Sequence, residues 1–168
     1  MPLNIGYLTV KTDKASDETY TPAIAVEAIL PYIKKDSVIW CPFDIEGQSE
    51  YIRVFKENSF KVISSHIDEG KNFFEYEPKE NYDVIISNPP FSIKDMILKR
   101  LDELNKPYAM LLPLPTLQGQ KRFEYLKNAQ ALIFDKRINF YRDKEMKQIQ
   151  SGVSFASIYI CKNFLPKD

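Results

Sequence analysis

The sequence predicts an open α/β sandwich built on a mainly parallel sheet. Short, continuous apolar runs recur along the chain, and such runs are typical of strands buried on both faces. Segments with apolar residues at helical spacing separate several of these runs, which is the alternation expected of parallel βαβ units. Two further apolar segments flank a polar, lysine-rich loop near the end of the chain, and they predict a C-terminal antiparallel hairpin.

The predicted elements follow in chain order. Thr21 is expected to cap a helix that has Pro22 at its first position and ends near Pro31. A second helix is predicted over 49–58. A third begins at Ile93 and has Ile97, Leu101 and Leu104 on one face. A fourth is predicted over 116–127, with Leu117, Phe123 and Leu126 directed inward. Strands are predicted over 38–41, 60–63, 83–87, 108–112, 131–134, 138–141 and 153–161.

Ligands of such folds bind beyond the carboxyl ends of the strands, where the strand order reverses. The loops that begin at Pro42, Ser65 and Asn88 each follow a predicted strand, so we expect them to open on one rim. This rim is the predicted ligand site.

The composition indicates one domain over 1–168, with residues 1–19 as a polar and loose arm. An apolar fraction of 44%, with eleven Phe and ten Tyr, is ample for a packed core. Lys and Arg together number 23, as do Asp and Glu, and the resulting zero net charge argues against a protein that coats nucleic acid through excess positive charge.

Cys41 and Cys161 lie in apolar runs, which predicts reduced core residues rather than a disulfide. A single histidine and the absence of a CxxC motif predict no metal site. The sequence has no signal-like N-terminus and no apolar run of the roughly 18–20 residues that span a bilayer. We therefore expect a cytoplasmic protein that makes no membrane contact.

The tetrapeptide Asn88-Pro89-Pro90-Phe91 is the predicted catalytic motif. It directly follows a buried strand and precedes a helix, whereas an isolated Asn-Pro-Pro would be interpreted as a simple turn. An aromatic amine is a weak nucleophile because its lone pair is delocalised into the ring. The Asn88 amide oxygen and the Pro89 carbonyl oxygen can accept its two protons, the two prolines can hold these acceptors rigidly, and an exposed Phe91 can stack on a planar base.

Ser87-Asn88-Pro89-Pro90-Phe91 resembles the catalytic tetrapeptide of S-adenosylmethionine-dependent amino-methyltransferases, especially the adenine-N6 DNA methyltransferases. Thr19-Tyr20-Thr21-Pro22 looks like the family's upstream element that contacts the methionine part of the cofactor. Cys41-Pro42-Phe43-Asp44 lies where the family has its first cofactor loop, and Asn72-Phe73 resembles the segment that holds the cofactor adenine. The order of these elements is similar to that of short, phage-encoded enzymes. The resemblance implies a Rossmann-like, class I methyltransferase three-layer sandwich.

The chain departs from the family pattern in its cofactor elements. The first loop has one glycine, Gly47, where the family has two, and Asp44 is expected either to bind the cationic methionine moiety or to cap a turn. The second strand ends in Ser65-His66-Ile67-Asp68 instead of a lone acidic residue. His66 or Asp68 is then expected to meet the ribose, although the histidine is equally interpreted as a surface or packed residue. Ser65, at the end of the same strand, is expected to contact the cofactor. Asn72 replaces the family's more usual aspartate.

The resemblance implies a site-specific, adenine-specific DNA methyltransferase that uses S-adenosylmethionine. Lys94 and Arg137 are the expected substrate-binding cations, although exposed basic residues commonly only solvate a surface. No stretch is long enough for a separate target-recognition domain, so target choice is weak, or rests on the loop near 142–152, or comes from a partner or a second copy. Methylation of RNA bases or of protein glutamine remains an alternative, as does a silent nucleic-acid-binding or regulatory protein.

Overall fold

The structure is a computed structural model that describes residues 19–143, 145, 147–149 and 156–167. Its helices are α1 (Ala23–Glu27), α2 (Glu50–Glu57), α3 (Lys94–Leu104) and α4 (Phe123–Leu126). Its strands are β1 (Val38–Cys41), β2 (Lys61–Ser64), β3 (Val84–Ser87), β4 (Tyr108–Pro113), β5 (Gln130–Leu132) and β6 (Ser157–Lys162). Short 3-10 segments cover Leu30–Tyr32, Ile67–Glu69, Phe91–Ile93 and Leu114–Leu117.

The strands form one sheet in the order β2-β1-β3-β4-β6-β5. The first four are parallel, and β6 runs antiparallel to both β4 and β5. From β1 the chain first adds β2 on one side and then β3 on the other, so the strand order reverses between β1 and β3. The predicted Rossmann-like α/β class, with a mostly parallel sheet and antiparallel C-terminal strands, is confirmed, and its ligand crevice is expected at this reversal.

Alternate residues of each strand enter two separate cores, one on each face of the sheet. Ile39, Ile86 and Leu111 pack with α1 and α2, while Trp40, Ile85 and Met110 pack with α3. Helices therefore cover both faces, which gives the predicted three layers and explains why the strands are continuous apolar runs. Cys41 and Cys161 are both buried in the first core, as predicted.

The C-terminal strands are antiparallel as predicted, but the strand predicted over 138–141 is wrong. Residues 138–141 form no strand, and Tyr141 makes only isolated bridges to Tyr20 and Ile149. The reason is that β6 lies between β4 and β5, so both of its edges are occupied. This internal position also leaves β6 buried on both faces. Residues 153–155 of the predicted strand lie outside the described residues.

The helix predicted over 116–127 is interrupted. Gln118 has extended backbone angles (φ −118°, ψ 133°), which separate the 3-10 segment that ends at Leu117 from the short helix α4. Leu117 is 40% exposed and Phe123 is 64% exposed, so neither is directed inward as predicted, although Leu126 packs on the second core. The strand predicted at 131–134 is β5, and it ends before Ile133.

The first helix also begins differently from the prediction. Pro22, not Thr21, is the N-cap residue of α1, and it makes no side-chain capping bond. The Thr21 hydroxyl instead accepts a hydrogen bond from Asn88, in the predicted catalytic motif. Helix α1 ends at Glu27, and Pro31 lies inside the following 3-10 segment.

No helix among the described residues is long and apolar enough to cross a membrane.

Candidate functional site

Two adjoining depressions open at the carboxyl ends of β1 and β3, where the strand order reverses. Both are open to solvent, and with the space that solvent occupies at their mouths they measure about 580 Å³ and about 640 Å³. Thr19, Phe43, His66 and Asn88 line both depressions and form the junction between them. The loops after β1, β2 and β3 therefore meet at one rim, as the sequence predicted.

The first depression has an acidic lining. Asp44 and Glu50 contribute carboxylates, and no Lys or Arg lines it among the described residues. Asp44 Oδ1 accepts a hydrogen bond of 2.6 Å from the Ser49 hydroxyl, and its Oδ2 accepts one of 2.5 Å from the Ser87 hydroxyl. Ser49 also caps α2 by accepting from the backbone N–H of Tyr51 at 3.1 Å, as expected of this residue. One carboxylate thus ties the β1 loop to the start of α2 and to the end of β3.

Burial raises the pKa of the Asp44 carboxyl above its ordinary value. The hydrogen bonds from Ser49 and Ser87, and the nearby His66 side chain, oppose this rise. Each carboxylate oxygen accepts one hydrogen bond from a serine and has capacity for another. Asp44 can therefore serve as an anionic partner for a cationic ligand group while it holds the loop in place.

The second depression is aromatic. Phe43 and Phe73 approach with ring centroids 5.0 Å apart, and Phe73 also contacts Phe74 at 5.7 Å and the buried Trp40 at 5.6 Å. The Asn72 side-chain oxygen accepts a hydrogen bond from the backbone N–H of Phe74, which fixes the turn that carries these rings. Pro89, Pro90 and Ile93 complete the apolar wall, and Lys71 is its basic residue. This lining suits a planar, mostly apolar ligand group.

Asn88 lies at the junction with its amide held on one side. Its Nδ2 donates hydrogen bonds to Thr21 Oγ1 at 2.9 Å and to Thr19 Oγ1 at 3.4 Å. Its Oδ1 is buried and has no hydrogen-bond partner among the described residues. A buried acceptor without a donor is unfavourable by about 1–3 kcal/mol, so this oxygen is ready to accept a donor from a ligand.

His66 presents a donor to the junction. Its Nδ1 accepts a hydrogen bond from the backbone N–H of Asp68 at 3.1 Å, which places the proton of the neutral ring on Nε2. The Asp68 carboxylate lies 3.6 Å from Nδ1, is largely exposed and lines neither depression. Of these two candidates for the ribose, His66 is the one that lines the site.

The remaining predicted site residues fall into two groups. Tyr20, Thr21, Pro42, Asn72, Phe73, Pro89 and Pro90 line one of the depressions. Pro22, Cys41, Ser65, Phe91, Lys94 and Arg137 line neither. Ser65 is fully buried and accepts a hydrogen bond from the Trp40 indole N–H, so it supports the aromatic wall from behind.

Phe91 differs from the expectation of an exposed stacking face. It is half-buried, packs against both cores and meets Phe140 edge-on at 6.1 Å. Lys94 Nζ lies 3.4 Å from the Phe91 carbonyl oxygen, while Arg137 is exposed. Their roles toward a substrate stay predictions.

Sequence reasoning missed several residues of this site. Thr19 and Phe43 belong to the expected cofactor segments but were not selected as contacts, and they line both depressions. Gln48, Glu50 and Tyr51 were not anticipated, and they line the first. Phe43 was detectable, because it is the second residue after a buried strand on the predicted rim. The α2 residues carried no such signal, since their helical spacing predicted core packing alone.

No protein-family model and no curated protein match the chain. Among solved structures, it is similar to the 23S rRNA methyltransferase ErmE, with 10% identity, a TM-score of 0.49, and coverage of 88% of this chain and 71% of that one. It is also similar to a type I restriction-modification methyltransferase subunit from Streptococcus thermophilus, with 12% identity, a TM-score of 0.46, and coverage of 90% of this chain and 46% of that one. Likeness at this level does not bear on the reaction, substrate or partners of this chain.

Proposed function

We propose that the chain is an S-adenosylmethionine-dependent methyltransferase that acts on an exocyclic amine, with adenine N6 in DNA as the first substrate to test. The observation that carries this proposal is the unpartnered Asn88 Oδ1 at the junction of an acidic and an aromatic depression. An acceptor in that position is what a weakly nucleophilic amine requires.

The residues present fit the chemical groups of S-adenosylmethionine. Its ammonium and sulfonium groups are cationic, and the Asp44 and Glu50 carboxylates suit that end. Its adenine is planar and aromatic, and Phe43 and Phe73 suit that end. His66, between the two, offers a hydrogen-bond donor to a ribose hydroxyl. When bound, the cofactor supplies an electrophilic methyl group.

The catalytic work of the chain falls on the Asn88-Pro89 pair. The Asn88 amide oxygen and the Pro89 carbonyl oxygen would accept the two protons of the target amine and localise its lone pair on nitrogen. This raises nucleophilicity without a strong base, because the proton can leave to water after the methyl group is transferred. In the described conformation Asn88 Oδ1 is shielded from solvent, so a neighbouring side chain would have to move for the target amine to reach it.

We propose DNA as the substrate because of the tetrapeptide Asn88-Pro89-Pro90-Phe91, and not because of the net charge of the chain. The chain has zero net charge, so affinity for a phosphate backbone must come from local cations such as Lys94 and Arg137. Target choice would then rest on the loop near 142–152, or on a partner protein or second copy of the chain.

Methyl-transfer assays with radiolabelled cofactor test the proposal directly. Incubation with unmethylated DNA, with RNA and with protein extract should label DNA, and digestion should recover N6-methyladenine. Asn88→Ala should lower turnover by about a hundredfold or more while calorimetry shows cofactor binding retained. Asn81→Ala, at an exposed position away from the site, is the matched control and should not change turnover.

Other outcomes assign other functions. Labelling of RNA or of glutamine in protein would replace the proposed substrate but keep the amine chemistry. Absence of heat on cofactor titration, together with no label in any substrate, would leave a silent nucleic-acid-binding or regulatory protein. Undiminished transfer by Asn88→Ala would refute the catalytic assignment.

A further inference from the structure

We propose that Thr21, assisted by Thr19, is a positioning residue that orients the Asn88 amide so that its oxygen faces the reacting amine. The proposal rests on the proposed function and deepens it, because it assigns the threonines to the catalytic step rather than to cofactor affinity. It explains why a helix-start threonine forms no cap and bonds instead to a residue that lies 67 positions further along the chain.

The geometry places both threonine hydroxyls on the nitrogen side of the amide. Thr21 Oγ1 lies 2.9 Å from Asn88 Nδ2, and Thr19 Oγ1 lies 3.4 Å from the same atom. Thr21 is 7% exposed, so water does not compete strongly with this contact. The two acceptors match the two protons of the amide nitrogen.

Counting donors shows why this orientation is favoured. In the observed orientation both amide protons have acceptors, and only the amide oxygen lacks a partner. If the amide were flipped, the threonine hydroxyls could donate to its oxygen. Its two N–H donors would then occupy the buried place of Oδ1, where no acceptor is found among the described residues. Unpaired buried N–H groups are rarer than under-satisfied oxygens, so the pair of hydroxyls selects the catalytic orientation.

The segment that carries the threonines is itself held by a backbone pairing with Tyr141. The backbone N–H of Tyr20 donates to the Tyr141 carbonyl oxygen at 2.9 Å, and that of Tyr141 donates to the Tyr20 carbonyl oxygen at 3.0 Å. Tyr141 begins the loop in which we expect target recognition. Substrate contacts with that loop would therefore reach Asn88 through Thr19 and Thr21.

Thr21→Val and Thr21→Ser test the inference, since valine preserves shape and serine preserves the hydroxyl. Thr21→Val should lower kcat by about tenfold to a hundredfold with the cofactor dissociation constant unchanged, and Thr21→Ser should restore turnover. Thr116→Val is the matched control, because Thr116 is fully buried and its hydroxyl has no partner among the described residues. Thermal unfolding of each variant separates lost turnover from lost structure.

A second readout does not depend on activity. The side-chain amide resonance of Asn88, assigned by its disappearance in Asn88→Ala, should show slow proton exchange in the unmodified protein and fast exchange in Thr21→Val. Weaker cofactor binding with unchanged kcat in Thr21→Val, or an unchanged amide resonance, would overturn the inference. If the unmodified protein transfers no methyl group, the proposed function fails, and the amide resonance still decides whether the threonines orient Asn88.

Discussion

Asp44→Asn removes the negative charge of the acidic depression while it preserves the shape of the side chain. In the native protein, Asp44 accepts hydrogen bonds from the hydroxyls of Ser49 and Ser87. Asparagine keeps one acceptor oxygen, and its amide nitrogen can donate to the second hydroxyl, which then reverses its role. The loop should therefore stay in place, and the variant isolates the contribution of the charge.

The expected loss follows from the charge-assisted contact that Asp44 offers to a cationic ligand. A hydrogen bond to a charged group contributes about 1.5–3 kcal/mol. Its loss should therefore raise the dissociation constant for S-adenosylmethionine roughly tenfold to hundredfold. Calorimetric titration measures this constant. Glu46→Gln is the control, because Glu46 lies in the same loop, is exposed and pairs with Lys56 at 2.6 Å outside the depression. Its affinity should match that of the unmodified protein.

Although Asp44→Asn should weaken cofactor binding, we do not expect it to lower the stability of the folded protein. The pKa of Asp44 is raised by burial, so the folded protein binds a proton at pH values where the unfolded chain has lost it. The free energy of unfolding therefore falls as the pH rises through the raised pKa of the folded protein, because ionised Asp44 carries the penalty of burial. Asparagine carries no such penalty. Urea unfolding at a series of pH values should show Asp44→Asn to be at least as stable as the unmodified protein at neutral pH, with a smaller decline.

Equal cofactor affinity in Asp44→Asn and the unmodified protein would refute the assignment of the acidic depression to a cation. A stability difference that does not vary with pH would refute the electrostatic explanation separately.

Two other substitutions address the core and the aromatic wall. Tyr159→Phe removes the hydroxyl that donates to the Ala25 carbonyl oxygen at 2.9 Å and lies 3.0 Å from the Tyr51 hydroxyl, so we expect about 1–3 kcal/mol lower stability in chemical unfolding. An unchanged unfolding midpoint would contradict that role. Phe43→Ala should weaken cofactor binding more than Phe74→Ala does, because Phe43 lines both depressions whereas Phe74 lines one. Equal losses would argue against Phe43 as a ligand contact.

The local elements could be predicted because their signals are local. The runs at 38–41 and 108–112 are apolar throughout because helices cover both faces of the sheet, and they are observed as β1 and β4. Asn88 could be selected because two prolines follow it directly after a buried strand. The prediction for 138–141 failed because an apolar segment can also pack without pairing, as buried Ile138 and Phe140 do.

The sequence by itself determined the α/β class, the parallel strands and the position of Asn88 at a strand end, since periodicity and turn chemistry act over a few residues. Only the tertiary structure decided which side chains meet there. Thr21 reaches Asn88 across 67 positions. Asp44 reaches Ser87 across 43, because β1 and β3 are neighbours in the sheet. Local patterns carry no information on strand order, because it is set by how the two cores bury their apolar residues together.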